Sequence, residues 1–301
     1  MVAASMGYKP NAAAKAFSTL KKKMVFGILL PSIGDLFFED LIAGIWEAQR
    51  ELEDYGVKII LKETSGYDVD RQLEEIDELL GEGITALGLL PLMDGRVARK
   101  IDSIVDSGIP VVTINSDIED SRRNIYVGTD FKKSGNLAAG LMGLINPRAR
   151  VLILTGSSKL LSHKLRIDGF YEKIEQRFPQ ISVIDTIECR NNNFTAYEGV
   201  KRAIEEHPEM DALYITAEGI KGACEAVSLH PEREIRIICF DDVNYVKEYI
   251  KEGKISATIC QQPNRQGYEA VKSMFSWFAN PDSFKQDSIL MEGVIKICEN
   301  I

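Results

Sequence analysis

The sequence predicts an α/β chain made of two doubly wound parallel-sheet lobes joined by three crossovers. Three features predict it. Apolar runs of strand length recur along the chain, segments of helical period separate them, and the alternation pauses once near the middle.

The strand runs are 24–31 (MVFGILLP), 57–62 (VKIILK), 85–91 and 110–114, then 150–155 (RVLILT), 181–187, 211–216, 235–240 (IRIICF) and 256–261. Rich in Val, Ile and Leu on both faces, they match strands covered on two sides in a parallel sheet. Between them Leu41, Ile45, Ala48, Leu52 and Tyr55 recur at three- and four-residue spacing, and Gly56 can end that helix. Segments 71–80, 131–145, 196–204 and 243–250 behave likewise, so the strands connect by right-handed crossovers. The pause, NSDIEDSRRNIYVGTD at 115–130, reads as a polar passage between lobes. The expected organisation is a basic segment 1–23, a first lobe of 24–128 plus 264–287, and a second lobe of 129–263 plus 288–301. Helix 264–279 and a final strand 288–297 supply the further crossovers.

Composition excludes several function classes. With 301 residues, 45% hydrophobic and 27% charged, the chain has the make-up of a globular protein. No apolar stretch approaches the roughly 20 residues that span a bilayer, and no basic n-region leads an apolar h-region, so neither membrane contact nor a secretory signal is expected. Cys189, Cys224, Cys239, Cys260 and Cys298 occur singly, without metal-ligand spacing, which points to a reducing cytoplasm. GxSxG, Walker and HExxH motifs are lacking, and GEGITALG does not have dinucleotide-turn spacing. TGSSK after the 150–155 strand is a short phosphate-like signal, better read as the border of a cleft. No enzyme activity, metal or cofactor is expected.

In open α/β sheets ligands bind beyond the carboxyl ends of the strands, and two facing lobes place both sets of ends on one cleft. The candidate ligand-binding residues are therefore Asp35, Phe37 and Phe38, then Asn115 and Ser116, then Arg166, Phe194, Ala217, Asp241 and Gln261. Aromatic faces beside carboxylate, amide and guanidinium groups suit a small sugar or polyol. Arg166 offers a rigid fork of donors and Asp241 accepts from neighbouring hydroxyls. His163, His207 and His230 are read as surface residues. A different signal stands at the N-terminus. GYKPNAAAKAFSTLKKK (7–23) carries five lysines and no acid, in a chain of net charge −9. A basic strip on an acidic body suggests contact with phosphate.

That strip, followed in order by DLFF, RIDGF, CFDD and ATICQQPNRQG, resembles the LacI family of transcriptional regulators. The body of that family is similar to the ribose-type periplasmic sugar-binding proteins, the type I periplasmic-binding-protein-like fold. The resemblance covers essentially the entire chain. It implies that Asn11 to Thr19 form a hinge helix on DNA, with Phe17 as the minor-groove wedge and Lys15 and Lys21 toward phosphates. The helix-turn-helix itself is absent from the sequence, so operator DNA is a partner of a full-length protein only. The implied function is a cytoplasmic, homodimeric repressor whose sugar or polyol effector alters operator binding by allostery. The second reading is a sugar-binding protein of an ABC transporter or chemoreceptor system, which shares the same body. In the ribose-type proteins an amide and two aromatics hold the sugar where Asp35, Phe37 and Phe38 stand. Their arginine falls on Arg166, their later aromatic on Phe194, their aspartate on Asp241 and their glutamine on Gln261. Three departures, Asp35 for the amide, Asn115–Ser116 for an Asp–Arg pair and Ala217 for an asparagine, argue for a sugar larger than ribose or differently oriented.

Overall fold

The computed structural model describes residues 24–33, 36–157, 159–279 and 287–301. In chain order the first half forms β1 (Met24–Leu30), α1 (Phe37–Glu51), β2 (Val57–Glu63), α2 (Val69–Gly81), β3 (Ala86–Leu89), α3 (Gly95–Asp106), β4 (Val111–Asn115), β5 (Ile125–Thr129) and α4 (Phe131–Ile145). Next come β6 (Arg150–Thr155), α5 (Leu161–Arg177), β7 (Ser182–Glu188), α6 (Asn193–Glu206), β8 (Ala212–Ile215) and α7 (Ile220–Ser228). The chain closes with β9 (Arg236–Phe240), α8 (Asn244–Lys251), β10 (Ala257–Cys260), α9 (Pro263–Ala279), β11 (Ser288–Met291) and β12 (Val294–Lys296).

The strands form two six-stranded sheets, in the orders β11-β5-β4-β3-β1-β2 and β12-β10-β9-β8-β6-β7. Every pairing is parallel except that of β12 with β10. This is the doubly wound two-lobe fold expected from the sequence. The chain passes between sheets three times: after β5, at the start of α9, and between β11 and β12. The signals for starting helices are local. Asp68, Asp94, Asp130 and Asn192 each turn a side-chain oxygen onto free backbone N–H groups at the start of α2, α3, α4 and α6.

Two expectations are corrected. The polar passage 115–130 contains a strand, β5, whose five residues are all buried between β4 and β11. Its apolar run is short and lies among charged residues, which hid it. The single strand expected at 288–297 is two, turning at Glu292–Gly293. β11 joins the first sheet beside β5 and β12 joins the second beside β10, so residues 288–291 pair with the first lobe. The first core gathers around Phe26, Ile28, Leu41 and Leu87. The second sheet has a core on each face, one around Leu152, Leu213 and Ile237 and the other around Phe170, Tyr214 and Phe240. Four cysteines are buried and Cys298 is exposed, all of them free. Among the described residues no helix is long and apolar enough to cross a membrane. Asn11, Lys15, Phe17, Lys21 and Asp35 lie outside the described residues.

Glycines set how closely the helices meet. A Cβ on Gly44 would lie 1.8 Å from Asn264 O, and one on Gly267 would lie 2.0 Å from Leu41 O, so α1 and α9 touch backbone to backbone. The α4–α5 pair repeats the device, with a Gly135 Cβ 2.1 Å from Arg166 O and a Gly169 Cβ 2.0 Å from Lys132 O. Gly44→Ala is expected to cost about 2 kcal/mol, because neither backbone can move aside without opening the core. Gly81→Ala, where a Cβ meets nothing within 4 Å, is expected to be neutral or slightly stabilising. Urea denaturation of the two variants checks this, and equal stability would contradict it.

Candidate ligand-binding site

The carboxyl ends of the strands of both sheets face one interlobe cleft that encloses a cavity of about 50 Å3. Phe37, Phe38, Asn115, Arg166, Ala217, Asp241 and Gln261, all expected from the sequence, line it. Phe37 and Phe38 open α1 and also belong to the first core. Their rings meet edge to face, 5.3 Å apart at 86°.

The second lobe supplies the charge. Arg166, in the second turn of α5, is 4% exposed. Its guanidinium lies 3.7 Å from the centre of the Phe240 ring and 5.0 Å from that of Phe131, and Nη1 donates to Thr216 O. Asp241 follows β9 with φ of 66°, a left-handed conformation that Asp tolerates better than most residues. Its Oδ2 accepts from Gln261 Nε2 at 2.7 Å. Burial pushes the Asp241 carboxyl up to about 7, with Arg166 and Gln261 opposing the rise. Burial also lowers the Arg166 guanidinium from its usual value, while Asp241 holds it up. Arg166 remains charged throughout the working pH range.

Four polar atoms in this wall are buried and find no hydrogen-bond partner among the described residues: Arg166 Nε, Asp241 Oδ1, Gln261 Oε1 and Asn191 Oδ1. Buried polar groups are nearly always paired. One donor and three acceptors, on residues that line the same cleft, form a set that adjacent hydroxyls can satisfy, since each hydroxyl donates once and accepts twice.

Asn115 ends β4 with φ of 63° and is held from behind. The Tyr126 hydroxyl donates to Asn115 O at 2.8 Å, and Asn115 Nδ2 donates to Gln266 Oε1 at 3.2 Å. Gln266, fully buried on α9, in turn donates to Gln261 O at 2.9 Å. One side chain thus ties the end of β4 to the end of β10 across the crossover.

Three sequence expectations are corrected here. Ser116 is fully buried outside the cleft lining, because alternation turns it away once Asn115 faces in. Phe194 is 72% exposed and does not line the cleft. Asn192 caps α6, so the residues that follow β7 into the cleft end at Asn191, and Phe194 lies in the first turn of the helix. His163, read as a surface residue, is 7% exposed and lines the cleft, with Nδ1 3.0 Å from Ser157 N. Burial and the nearby Arg166 lower its pKa to about 3, so it stays neutral. His207 and His230 are partly exposed.

Sequence reasoning missed the residues that close the mouth. Asn191 Nδ2 donates to the Tyr67 hydroxyl at 2.6 Å, Lys159 Nζ donates to Tyr67 O at 3.0 Å, and Lys159 O accepts from Met93 N at 2.9 Å. Leu160, from the second lobe, packs into the core of the first. TGSSK and the NNN run were the only signals, and both are too short to show periodicity.

Residues 26–278 match the family model of the periplasmic binding protein domain, and the chain belongs to that family. It is 26% identical over 266 residues to the ribose import binding protein RbsB of Bacillus subtilis (strain 168), covering 88% of this chain and 85% of that protein. The structure of GanP, a glucose-galactose binding protein from Geobacillus stearothermophilus, is similar with a TM-score of 0.86 at 27% identity. That match covers 93% of this chain and 99% of GanP. A LacI-type transcriptional regulator structure from Bacteroides fragilis shares the fold with a TM-score of 0.82 at 19% identity, over 93% and 98% of the two chains.

These relatives overturn the regulator reading. DLFF, RIDGF, CFDD and ATICQQPNRQG are landmarks of a body that regulators and sugar-binding proteins share, and only the basic strip at 7–23 distinguished the two. The comparisons favour sugar-binding proteins. Operator DNA, the homodimer that served it and the cytoplasmic location fall with that reading. The cysteines gave poor grounds for a compartment, because a buried thiol packs as a small hydrophobe wherever the protein resides.

The pH dependence of stability follows from Asp241. Its carboxyl holds a proton up to about pH 7 in the fold but only to 3.8 at its ordinary value. A raised acid therefore favours the fold at low pH, and that contribution is lost as pH rises from about 4 to about 7. The stability of wild type relative to Asp241→Asn is expected to fall across that window, at up to about 1.4 kcal/mol per pH unit. Parallel urea-denaturation curves from pH 4 to 8 measure it, and a flat difference would refute the assignment.

Proposed function

We propose that this chain is the sugar-binding component of an import or chemosensory system, taking one small sugar between its lobes. The observation that carries the reading is that Arg166 Nε, Asp241 Oδ1, Gln261 Oε1 and Asn191 Oδ1, buried and unpartnered, belong to residues lining one cleft with the Phe37–Phe38 pair. Membership in a family of binding proteins, with sugar-binding relatives, supports it. Arg166 and Asp241 fix the hydroxyls, and an aromatic face packs on the C–H face of the ring. Ligand contacts to both walls stabilise the closed arrangement over an open one, which is how such a body signals occupancy to a partner.

Titration calorimetry against D-ribose, D-galactose, D-glucose, D-xylose and related sugars and polyols tests the proposal. Arg166→Gln and Asp241→Asn are each expected to weaken binding by about tenfold or more, the scale of a lost hydrogen bond to a charged group. Ser116→Ala and Phe194→Ala, outside the cleft, are expected to stay within about twofold. Binding that survives loss of Arg166 and Asp241 would exclude this site.

A further inference from the structure

We infer that the preferred ligand is a deoxysugar, hydroxylated along one edge and alkyl-bearing along the other; this rests on the sugar-binding reading above. The two walls of the cleft differ in kind. Of the six buried polar atoms without partners among the described residues, the four that belong to cleft-lining residues, Arg166 Nε, Asn191 Oδ1, Asp241 Oδ1 and Gln261 Oε1, come from the second lobe, whereas Ser116 Oγ, from the first, lies outside the lining. The opposite wall is Phe37, Phe38 and Leu90, joined by Leu160, which packs into the first-lobe core. Leu90 is 1% exposed and Leu160 4%.

Among the described first-lobe residues lining the cleft, the polar side chains are Tyr67 and Asn115. Both are engaged already, Tyr67 with Asn191 and the Asn115 amide nitrogen with Gln266. Ring stacking alone does not account for the apolar wall. Phe37 and Phe38 stand at 86° to one another, so a flat sugar ring can lie on only one of them. The other ring and the two leucines must meet the rim of the sugar, where hydroxyls project. A hydroxyl there loses water and gains no partner among the described first-lobe residues. A methyl or methylene at the same place gains burial.

The test is calorimetry on the intact chain with matched pairs: L-rhamnose and L-mannose, L-fucose and L-galactose, D-fucose and D-galactose, 2-deoxy-D-ribose and D-ribose. The tightest ligand is expected to be the deoxy member of a pair, about tenfold or more tighter than its hydroxylated parent. A parent that binds as tightly as its deoxy partner, or more tightly, overturns the inference and leaves sugar binding intact. If none of the eight binds while another sugar such as D-glucose or D-xylose does, the inference fails and sugar binding stands; if no sugar or polyol binds at all, both fail. Leu90→Thr removes both δ-methyls from the apolar wall and places a hydroxyl on Cβ, so the deoxy-to-parent affinity ratio is expected to narrow. A ratio unchanged in that variant would place the alkyl edge elsewhere and contradict the assignment.

Discussion

Burying a guanidinium is the constraint around which the second lobe and the cleft are organised. Arg166 cannot shed its charge, and taking it out of water is costly unless its donors and its charge are met. The Phe131 and Phe240 rings lie against the group, Thr216 O takes one N–H, and Asp241, once ionised, provides the opposite charge. Asp241 is held in turn by Gln261. The position of Arg166 depends on backbone contact between α4 and α5, which Gly135 and Gly169 allow. A helix pair half a turn out of register, or one side chain thicker, would move the guanidinium away from these rings. What remains unsatisfied after all this, Nε and three acceptor oxygens, belongs to residues that line the cleft. Binding capacity is thus the residue of an otherwise completed network.

The same network couples the lobes. Gln266 reaches from Asn115, at the end of a first-sheet strand, to the carbonyl of Gln261, whose side chain holds Asp241. At the mouth, Tyr67, Asn191, Lys159 and Leu160 hold the two sides together through hydrogen bonds and one apolar insertion. A ligand that satisfies the Arg166 cluster therefore acts on a geometry both lobes share.

How much of this was legible in the sequence follows from periodicity. Strand runs such as RVLILT and IRIICF are long and apolar, so strand ends, and hence Asp241 and Gln261, could be placed, whereas Arg166, in the second turn of α5, was found through the RIDGF motif. Ile125–Thr129 could not be placed, because a five-residue strand inside a charged stretch has too few positions to show a pattern. Asn115 was found and Ser116 misjudged for one reason: they are neighbours at the end of β4, and alternation lets only one face the cleft. Phe194 attracted notice as an aromatic near a strand end, yet Asn192 begins a helix there and turns it outward. Tyr67, Asn191 and His163 lie in or beside loops whose path is set by tertiary contacts. The choice between regulator and sugar-binding protein was beyond the body altogether, since its landmarks encode the cleft and not the partner that reads it.

The central claim is that a sugar is held by the orphaned atoms around Arg166. A crystal structure of the protein with its tightest-binding sugar tests that most directly. Sugar oxygens are expected within hydrogen-bond distance of Arg166 Nε, Asp241 Oδ1 and Gln261 Oε1, with the ring against the Phe37–Phe38 wall. A sugar seated elsewhere, or one in the cleft that leaves those three atoms to water, would contradict the account.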